Sequence, residues 1–472
     1  MSVRSDLWNQ FGGNPGGSGF RLVNSTSAAA LRWRTDLQAH SDTSSPVVGP
    51  DGTVYIGTVN GRLVAVNPAN GRVTWRTEVA GTGELAVRTP AVADDGTIYC
   101  LCTSLNVVRD HRPGAAGRTE RGVRSVLAAV GPNGSVRWRM PVRTLSDLVG
   151  SGSVNGLFRG VPRVLSGPGG IARVIFAGTY WVVGPYPEFN ENATGPVAVR
   201  VLAIVDEQGR FLLFHSYEEF HVEIELGGGG LDLSGATAEA PPSRLPSNAA
   251  PCSEMPVVLG AFPATDPLTI VAPGVHGLYA FRWSETQGAL TGAPAFFALD
   301  QAFPGPAAFP NGLLAGRHRN SVTFIDLDTF TAVGAEPTYV YGPATVAGGL
   351  RHMYFLAREG VLLAVNSDGA VWKRRDLDGG SVAFPALSAN HVHVSTTKGL
   401  LTFSLDLDDM AFVAMDGGGY SSPAIGSDGT VYAAAGSKLL AFAEAGTPFR
   451  DVRDHRSGQN VRDHRRRTPP AG

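Results

Sequence analysis

Cysteine is nearly absent: three residues in 472, too few for a disulfide framework. Cys100 and Cys102 stand two apart in TIYCLCTS, on one face of an expected strand where a bond between them would close awkwardly. Cys252 stands alone. With no His or Cys at matching spacing nearby, all three read as small apolar residues, a metal site being the alternative. An excess of charge of one sign is missing as well. Lys and Arg number 39 against 41 Asp and Glu, a net charge of −2, so no basic field exists for nucleic acid or an anionic membrane. Long hydrophobic runs are also lacking. The opening MSVRSDLWNQFGGNPGGSGF holds no signal-like apolar core. The best membrane-span candidate, residues 256–281, is broken by Asp266, Pro267 and Pro273. These absences lead to the expectation of a soluble monomer, cytoplasmic by default and periplasmic or exported if the true start lies upstream.

Glycine and proline, by contrast, are abundant at 60 and 32 residues, and 43% of the chain is apolar. That mix suits many short strands joined by turns. Residues 44–76 read SSPVVGPDGTVYIGTVNGRLVAVNPANGRVTWR, residues 421–443 read SSPAIGSDGTVYAAAGSKLLAFA, and residues 88–100 read RTPAVADDGTIYC. In each, a small polar residue and proline lead into a short apolar strand, a D-G turn and a T-V-Y type strand. Asp-Gly supplies the positive φ for a two-residue hairpin turn, and alternating β-branched and aromatic residues suit a pleated strand. A unit apolar on both faces cannot bury itself, so copies must stack.

With Pro46 as marker, copies recur at Pro90, Pro162, Pro256, Pro306, Pro343, Pro385 and Pro423. The expected fold is all-β, an eight-bladed β-propeller of four-stranded antiparallel blades, with seven blades as the alternative. The eighth copy lacks a tryptophan-bearing last strand, whereas ALRWRTDL at 29–36 precedes the first copy. Trp33 is therefore expected to complete the eighth blade from the N-terminal side and close the ring. The organisation expected is a lead-in over 1–28 and a single propeller domain over 29–446. Long loops fall near 104–124, 180–197 and 226–250, and a disordered Arg/Asp-rich tail covers 447–472.

The pattern S-S-P-x-x-x-x-D-G-T-V-Y followed by A-x-N-x-x-x-G-x-x-x-W resembles the pyrroloquinoline-quinone (PQQ)-type propeller repeat. Its second half is matched at Ala65, Asn67, Gly71 and Trp75. Ala129, Gly134 and Trp138, and Ala364, Asn366, Gly369 and Trp372, match with a tighter turn. The segment WNQFGGNPGGSGF also resembles the lead-in that often precedes such repeats. This resemblance, over most of 8–446, implies that Trp33, Trp75, Trp138 and Trp372 dock against neighbouring blades. Enzyme members of the family hold the quinone at the ring centre with calcium and an aspartate base. The alcohol-oxidising ones add a disulfide between adjacent cysteines, a pair this sequence lacks. Other members, such as the lipoprotein of the bacterial outer-membrane barrel-assembly machinery, bind no cofactor and act as scaffolds. The function expected is a non-enzymatic scaffold engaging a partner, a protein, through loops on one face or the central channel. A PQQ- and calcium-dependent oxidoreductase is the alternative.

No G-x-S-x-G elbow, H-E-x-x-H helix or phosphate loop occurs, so no catalytic, cofactor-binding or metal residue is assigned. His391 and His393 in NHVHVST could share a strand face as a metal pair; the plainer reading is packing. Asp326 and Asp328, and Asp406, Asp408 and Asp409, fall where Asn67 stands in the first copy and read as turn residues. Asp376, Asp378 and Gly379 fall short of a calcium loop. The motif VRDHR occurs at 108–112, 452–456 and 461–465. It reads either as a basic arm for an anionic partner or as a translated mobile repeat tolerated in a loop and a tail.

Overall fold

A computed structural model describes residues 8–452 except 16, 43, 82–84, 105–124, 143–153, 158–159, 183–196, 222–254, 260–263, 275–276, 299–306, 309–312, 319–320, 327–330, 337–343, 349–351, 358–359, 367–369, 378, 381–382, 417–420 and 447–449. Apart from a 3₁₀ turn at Pro168–Gly170, the regular structure among the described residues is strand.

The chain begins with β1 (Ala30–Asp36). Sheet 1 holds β2 (Val47–Val48), β3 (Val54–Gly57), β4 (Arg62–Val66) and β5 (Val73–Glu78). Sheet 2 holds β6 (Leu85–Val87), β7 (Ala91–Val92), β8 (Ile98–Ser104), β9 (Ser125–Val130) and β10 (Val136–Pro141). Sheet 3 holds β11 (Val154–Leu157), β12 (Arg163–Ser166), β13 (Ala172–Val182), β14 (Val197–Asp206) and β15 (Phe211–His221). Sheet 4 holds β16 (Val257–Leu259), β17 (Leu268–Pro273), β18 (Gly277–Ser284), β19 (Ala289–Leu290) and β20 (Ala295–Ala298). Sheet 5 holds β21 (Ala307–Ala308), β22 (Leu313–His318), β23 (Ser321–Asp326) and β24 (Thr331–Glu336). Sheet 6 holds β25 (Ala344–Gly348), β26 (Met353–Ala357), β27 (Val361–Val365) and β28 (Val371–Asp376). Sheet 7 holds β29 (Ala386–Leu387), β30 (His391–Ser395), β31 (Gly399–Ser404) and β32 (Asp409–Ala414). Sheet 8 joins β33 (Ala424–Ile425), β34 (Val431–Ala435) and β35 (Lys438–Ala443) to β1 and β36 (Arg450–Val452).

Each of the eight marker prolines immediately precedes the inner strand of a sheet: β2, β7, β12, β16, β21, β25, β29 and β33. Because side chains alternate along a strand, sheets 1, 2, 3, 4, 7 and 8 each offer an apolar set to both neighbours. In sheet 1, Tyr55, Leu63 and Ala65 pack towards sheet 2, while Val54, Ile56, Val64 and Val66 pack towards sheet 8. The same face-to-face packing joins sheets 2 and 3, 3 and 4, 6 and 7, and 7 and 8, and Ile325 of sheet 5 packs on sheet 4. Inner strands of sheets 5 and 6 lie side by side.

The repeat signature has a local cause at each position. In the Ser-Ser-Pro copies the first serine binds its own sheet: Ser44 Oγ accepts from Gly57 N at 2.9 Å, and Ser421 Oγ from Ala434 N at 2.7 Å. The hydroxyl just before proline links one sheet to the next. Phe384 N donates to Ser422 Oγ at 2.7 Å, Ser422 N to Ser45 Oγ at 2.9 Å, and Ser45 N to Thr89 Oγ1 at 2.8 Å. In the first turn Asp51 Oδ1 accepts from Thr53 N at 3.0 Å while Gly52 takes φ +85°. This turn is longer than the expected two residues, since Gly49 N closes it on Thr53 O.

Three tryptophans dock as the repeat implies. Trp33, Trp75 and Trp138 donate from Nε1 to Pro68, Pro132 and Glu207 carbonyls of the next sheet at 2.8, 2.9 and 2.9 Å. A Cβ added at Gly71 or Gly134 would meet the ring of Trp33 or Trp75 at 2.8 Å, so these positions must stay bare. Trp372 corrects the expectation. Trp75 and Trp138 pair with Ala65 and Ala129, but Ala364 pairs with Lys373, and Trp372 is the extra residue of a β-bulge. Its side chain is 57% exposed and stacks on His352 at 5.5 Å. Lys373 takes the docking position and pairs with Asp408 of sheet 7 at 2.7 Å.

β1 pairs antiparallel with β35, Trp33 opposite Ala441. Residues 450–452, within the segment expected to lack structure, form β36 parallel to the outer edge of β1. The physical reason is that the last strand of a sheet leaves unpaired backbone groups which an extended segment can satisfy.

Candidate functional site

Two regions can carry function: the space beside the strands that follow the marker prolines, here called inner strands, and the connections at one end of the sheets. In an antiparallel sheet the first-to-second and third-to-fourth connections lie at one end. The second-to-third and sheet-to-sheet connections lie at the other. The first end carries tight turns in sheets 1 and 2, such as 49–53 and 93–97. The second end is where β8 leads to β9, β13 to β14 and β15 to β16, the three longest connections in the chain. It is also where β6 and β11 lengthen sheets 2 and 3, pairing with the far halves of β8 and β13. The loops expected near 104–124, 180–197 and 226–250 lie almost wholly outside the described residues; the described ends of the strands that flank them are at this end.

The inner space is lined by the lead-in. Trp8 O accepts from Val48 N at 2.8 Å, Asn9 O from Val92 N at 2.7 Å, Pro15 O from Val258 N at 3.0 Å and Gly19 O from Leu387 N at 2.8 Å. The Gln10 side chain brackets Val164, accepting from its N and donating to its O, each at 3.1 Å. Arg21 Nη1 donates to Ile425 O at 2.7 Å. All six partners stand two residues after a marker proline, so residues 8–21 visit sheets 1, 2, 3, 4, 7 and 8 in order. Phe11 packs with Val161, Met255 and Phe384 from sheets 3, 4 and 7, its ring 4.9 Å from that of Phe384. Buried Arg163 donates to Phe11, Asn14 and Pro256 carbonyls. Gly17, at φ +62°, passes so close that an added Cβ would lie 2.6 Å from Arg163 Nη2.

The lead-in ends in a hydroxyl–imidazole cluster. Ser25 Oγ lies 2.8 Å from His393 Nε2, 2.8 Å from Ser388 Oγ and 3.3 Å from His391 Nδ1, and His393 Nδ1 lies 3.0 Å from Thr402 Oγ1. The two histidines do share a strand face, and both are buried. Burial lowers both imidazoles, His393 to about 3, so they stand neutral at pH 7. Among the described residues no carboxylate hydrogen-bonds to either imidazole, Glu444 acting on His391 only through its charge, so the buried cluster reads as a polar anchor.

Other sequence candidates are scattered. Cys100 and Cys102 are buried free thiols on the sheet 1–sheet 2 interface, and burial pushes Cys102 up to about 12, which keeps it protonated and inert. Cys252, Asp328, Asp378, the VRDHR at 108–112 and all of the two tail copies except Val452 lie outside the described residues. Asp376 pairs with Arg374 and Asp408 with Lys373, while Asp326 ends β23. Ser404, not Asp406, occupies the Asn67 position: its N bonds Asp408 O as Asn67 N bonds Arg72 O. Among the described residues no group of three His, Cys, Asp or Glu could hold a metal ion. A cleft of about 460 Å³ between the turns at 93–95 and 166–171 contains Asp94 and Asp95, but Asp95 is tied to Thr97 and Arg137.

An axial quinone with calcium does not fit these residues. Among the described residues beside the strands that follow the marker prolines, Phe11, Phe384, Val161 and Met255 pack together and the strand amides are bonded to the lead-in. The signal for this was the position of WNQFGGNPGGSGF before the repeats; nothing in its composition names its partners.

Residues 21–172 match the family profile described as outer membrane protein assembly factor BamB. No curated protein matches the chain. Among solved structures, a europium-containing methanol dehydrogenase aligns at 12% identity over 92% of this chain and 90% of its own, TM-score 0.53. A Dos1 propeller aligns at 7% identity over 90% and 99%, TM-score 0.50. BamB from Moraxella catarrhalis aligns at 13% identity over 77% and 83%, TM-score 0.40. At these identities the first two speak for the fold alone. No helix among the described residues is long and apolar enough to cross a membrane. The profile match spans β1 to the start of sheet 3, the stretch that holds all three docking tryptophans. The chain has a β-propeller fold, and its residues 21–172 match a PQQ-like repeat profile.

Proposed function

We propose that the eight sheets are the blades of one closed ring and that the protein is a non-enzymatic binding scaffold. Closure is supported by β1 completing sheet 8 and by the Ser422 N to Ser45 Oγ bond across the junction of sheets 8 and 1. The observation that carries the functional reading is that the three longest connections leave the ring at the same end. Loops gathered on a rigid frame form a recognition face, and a protein partner suits a broad surface of mixed charge. The BamB profile match adds support from a protein described as an assembly factor.

The test replaces residues 105–124, 183–196 and 226–250, one stretch at a time, by short Gly-Ser linkers. Partner capture by the intact protein should be lost in at least one variant that keeps its melting temperature. Capture unchanged in all three contradicts the assignment of the face.

A further inference from the structure

We infer that the lead-in, residues 8–26, is an internal plug that permanently fills the ring axis and removes it as a site for a quinone or any other axial ligand. The inference rests on the closed-ring reading above. Three independent sets of contacts carry it. Backbone bonds to Val48, Val92, Val258 and Leu387 use inner-strand amides that would otherwise face the axis. The side chains of Gln10 and Arg21 take backbone groups of Val164 and Ile425. Phe11 then fills the middle, touching residues from sheets 3, 4 and 7 at once. A ligand of quinone size would have to displace a buried aromatic and leave inner-strand amides without acceptors, and both are costly. The Ser25 cluster anchors the far end of the plug in sheet 7.

Glycine is what lets the segment fit. Gly12, Gly13, Gly17 and Gly19 all take positive φ, so the chain turns repeatedly inside a narrow space. The plug also bonds sheets 1 to 4 and 7 to 8, which spans the junction where the first and last sheets meet.

The experiment mixes the full chain with pyrroloquinoline quinone, with and without Ca²⁺, separates free quinone by gel filtration, and records thermal melts of the parent, Phe11→Ala and Phe11→Leu. The parent should emerge free of quinone in both conditions. Phe11→Ala should melt lower by on the order of 3 °C or more, with Phe11→Leu in between. One quinone retained per parent chain, or a Phe11→Ala melt equal to the parent's, overturns the inference. If Phe11→Ala does not fold, the Phe11→Leu melt decides in the same way. Partner capture plays no part in these readouts, and ring closure is read from exchange at 30–36, so failure of either reading is seen separately.

Discussion

Trp33 and Trp372 are matched by the repeat pattern, and each stands in the strand that follows the third strand of its sheet, β1 after β35 and β28 after β27. Their pairing differs by one position. Trp33 lies opposite Ala441, is buried, and donates to Pro68 O of the next sheet at 2.8 Å. Trp372 is the bulge residue and faces solvent. Replacing Trp33 with alanine should cost about 3–5 kcal/mol in urea unfolding, while Trp372→Ala should cost under about 1 kcal/mol. Equal losses would contradict the register. The Ser25 cluster gives a second expectation at this scale. His393 titrates near 6.5 when unfolded and near 3 when folded. Between those values the unfolded chain binds the extra proton, so stability falls as pH drops through that window, by at most about 1.4 kcal/mol per pH unit. His393→Gln should flatten the stability–pH slope between about pH 6.5 and 4. Below that, carboxylates held low by their partners, such as Asp36 beside Lys438 and Glu444 beside Ser27, also lose stabilising charge.

At the level of strands and turns, the repeat signature was legible because its causes are local. Proline starts an inner strand, Asp or Asn folds back on its own turn, and a hydroxyl before proline reaches the adjacent sheet. Even the poorly matching copies at Pro162, Pro256 and Pro306 are each followed by a strand. What was hidden depends on distant partners. The Gly-rich lead-in shows no periodicity, and Ser25 meets residues more than 360 positions away. The bulge at 372 was hidden because spacing from Gly369 counts residues, not pairing. Two tests belong to this scale. Ser422→Ala leaves the buried Phe384 amide without its acceptor and should cost about 1–3 kcal/mol. Truncation after 452 should leave the melting temperature unchanged, whereas truncation after 446, which removes β36, should lower it by about 1–2 °C.

For the whole molecule, a ring of sheets buries the apolar faces of its terminal members only if the first and last meet. Here sheets 8 and 1 are joined three ways: by β1 along β35, by the serine link between them, and by the lead-in that bonds to both. If the proposed plug fills the centre, the proposed recognition face falls on the outer surfaces. Residue-resolved hydrogen exchange tests closure most directly, because it reports whether β1 opens alone or only with the globule. The amides of 33–35 should exchange as slowly as those of 439–441, their ladder partners. Exchange of 33–35 at loop rates, with 431–443 still protected, would show an N-terminal strand that does not close the ring.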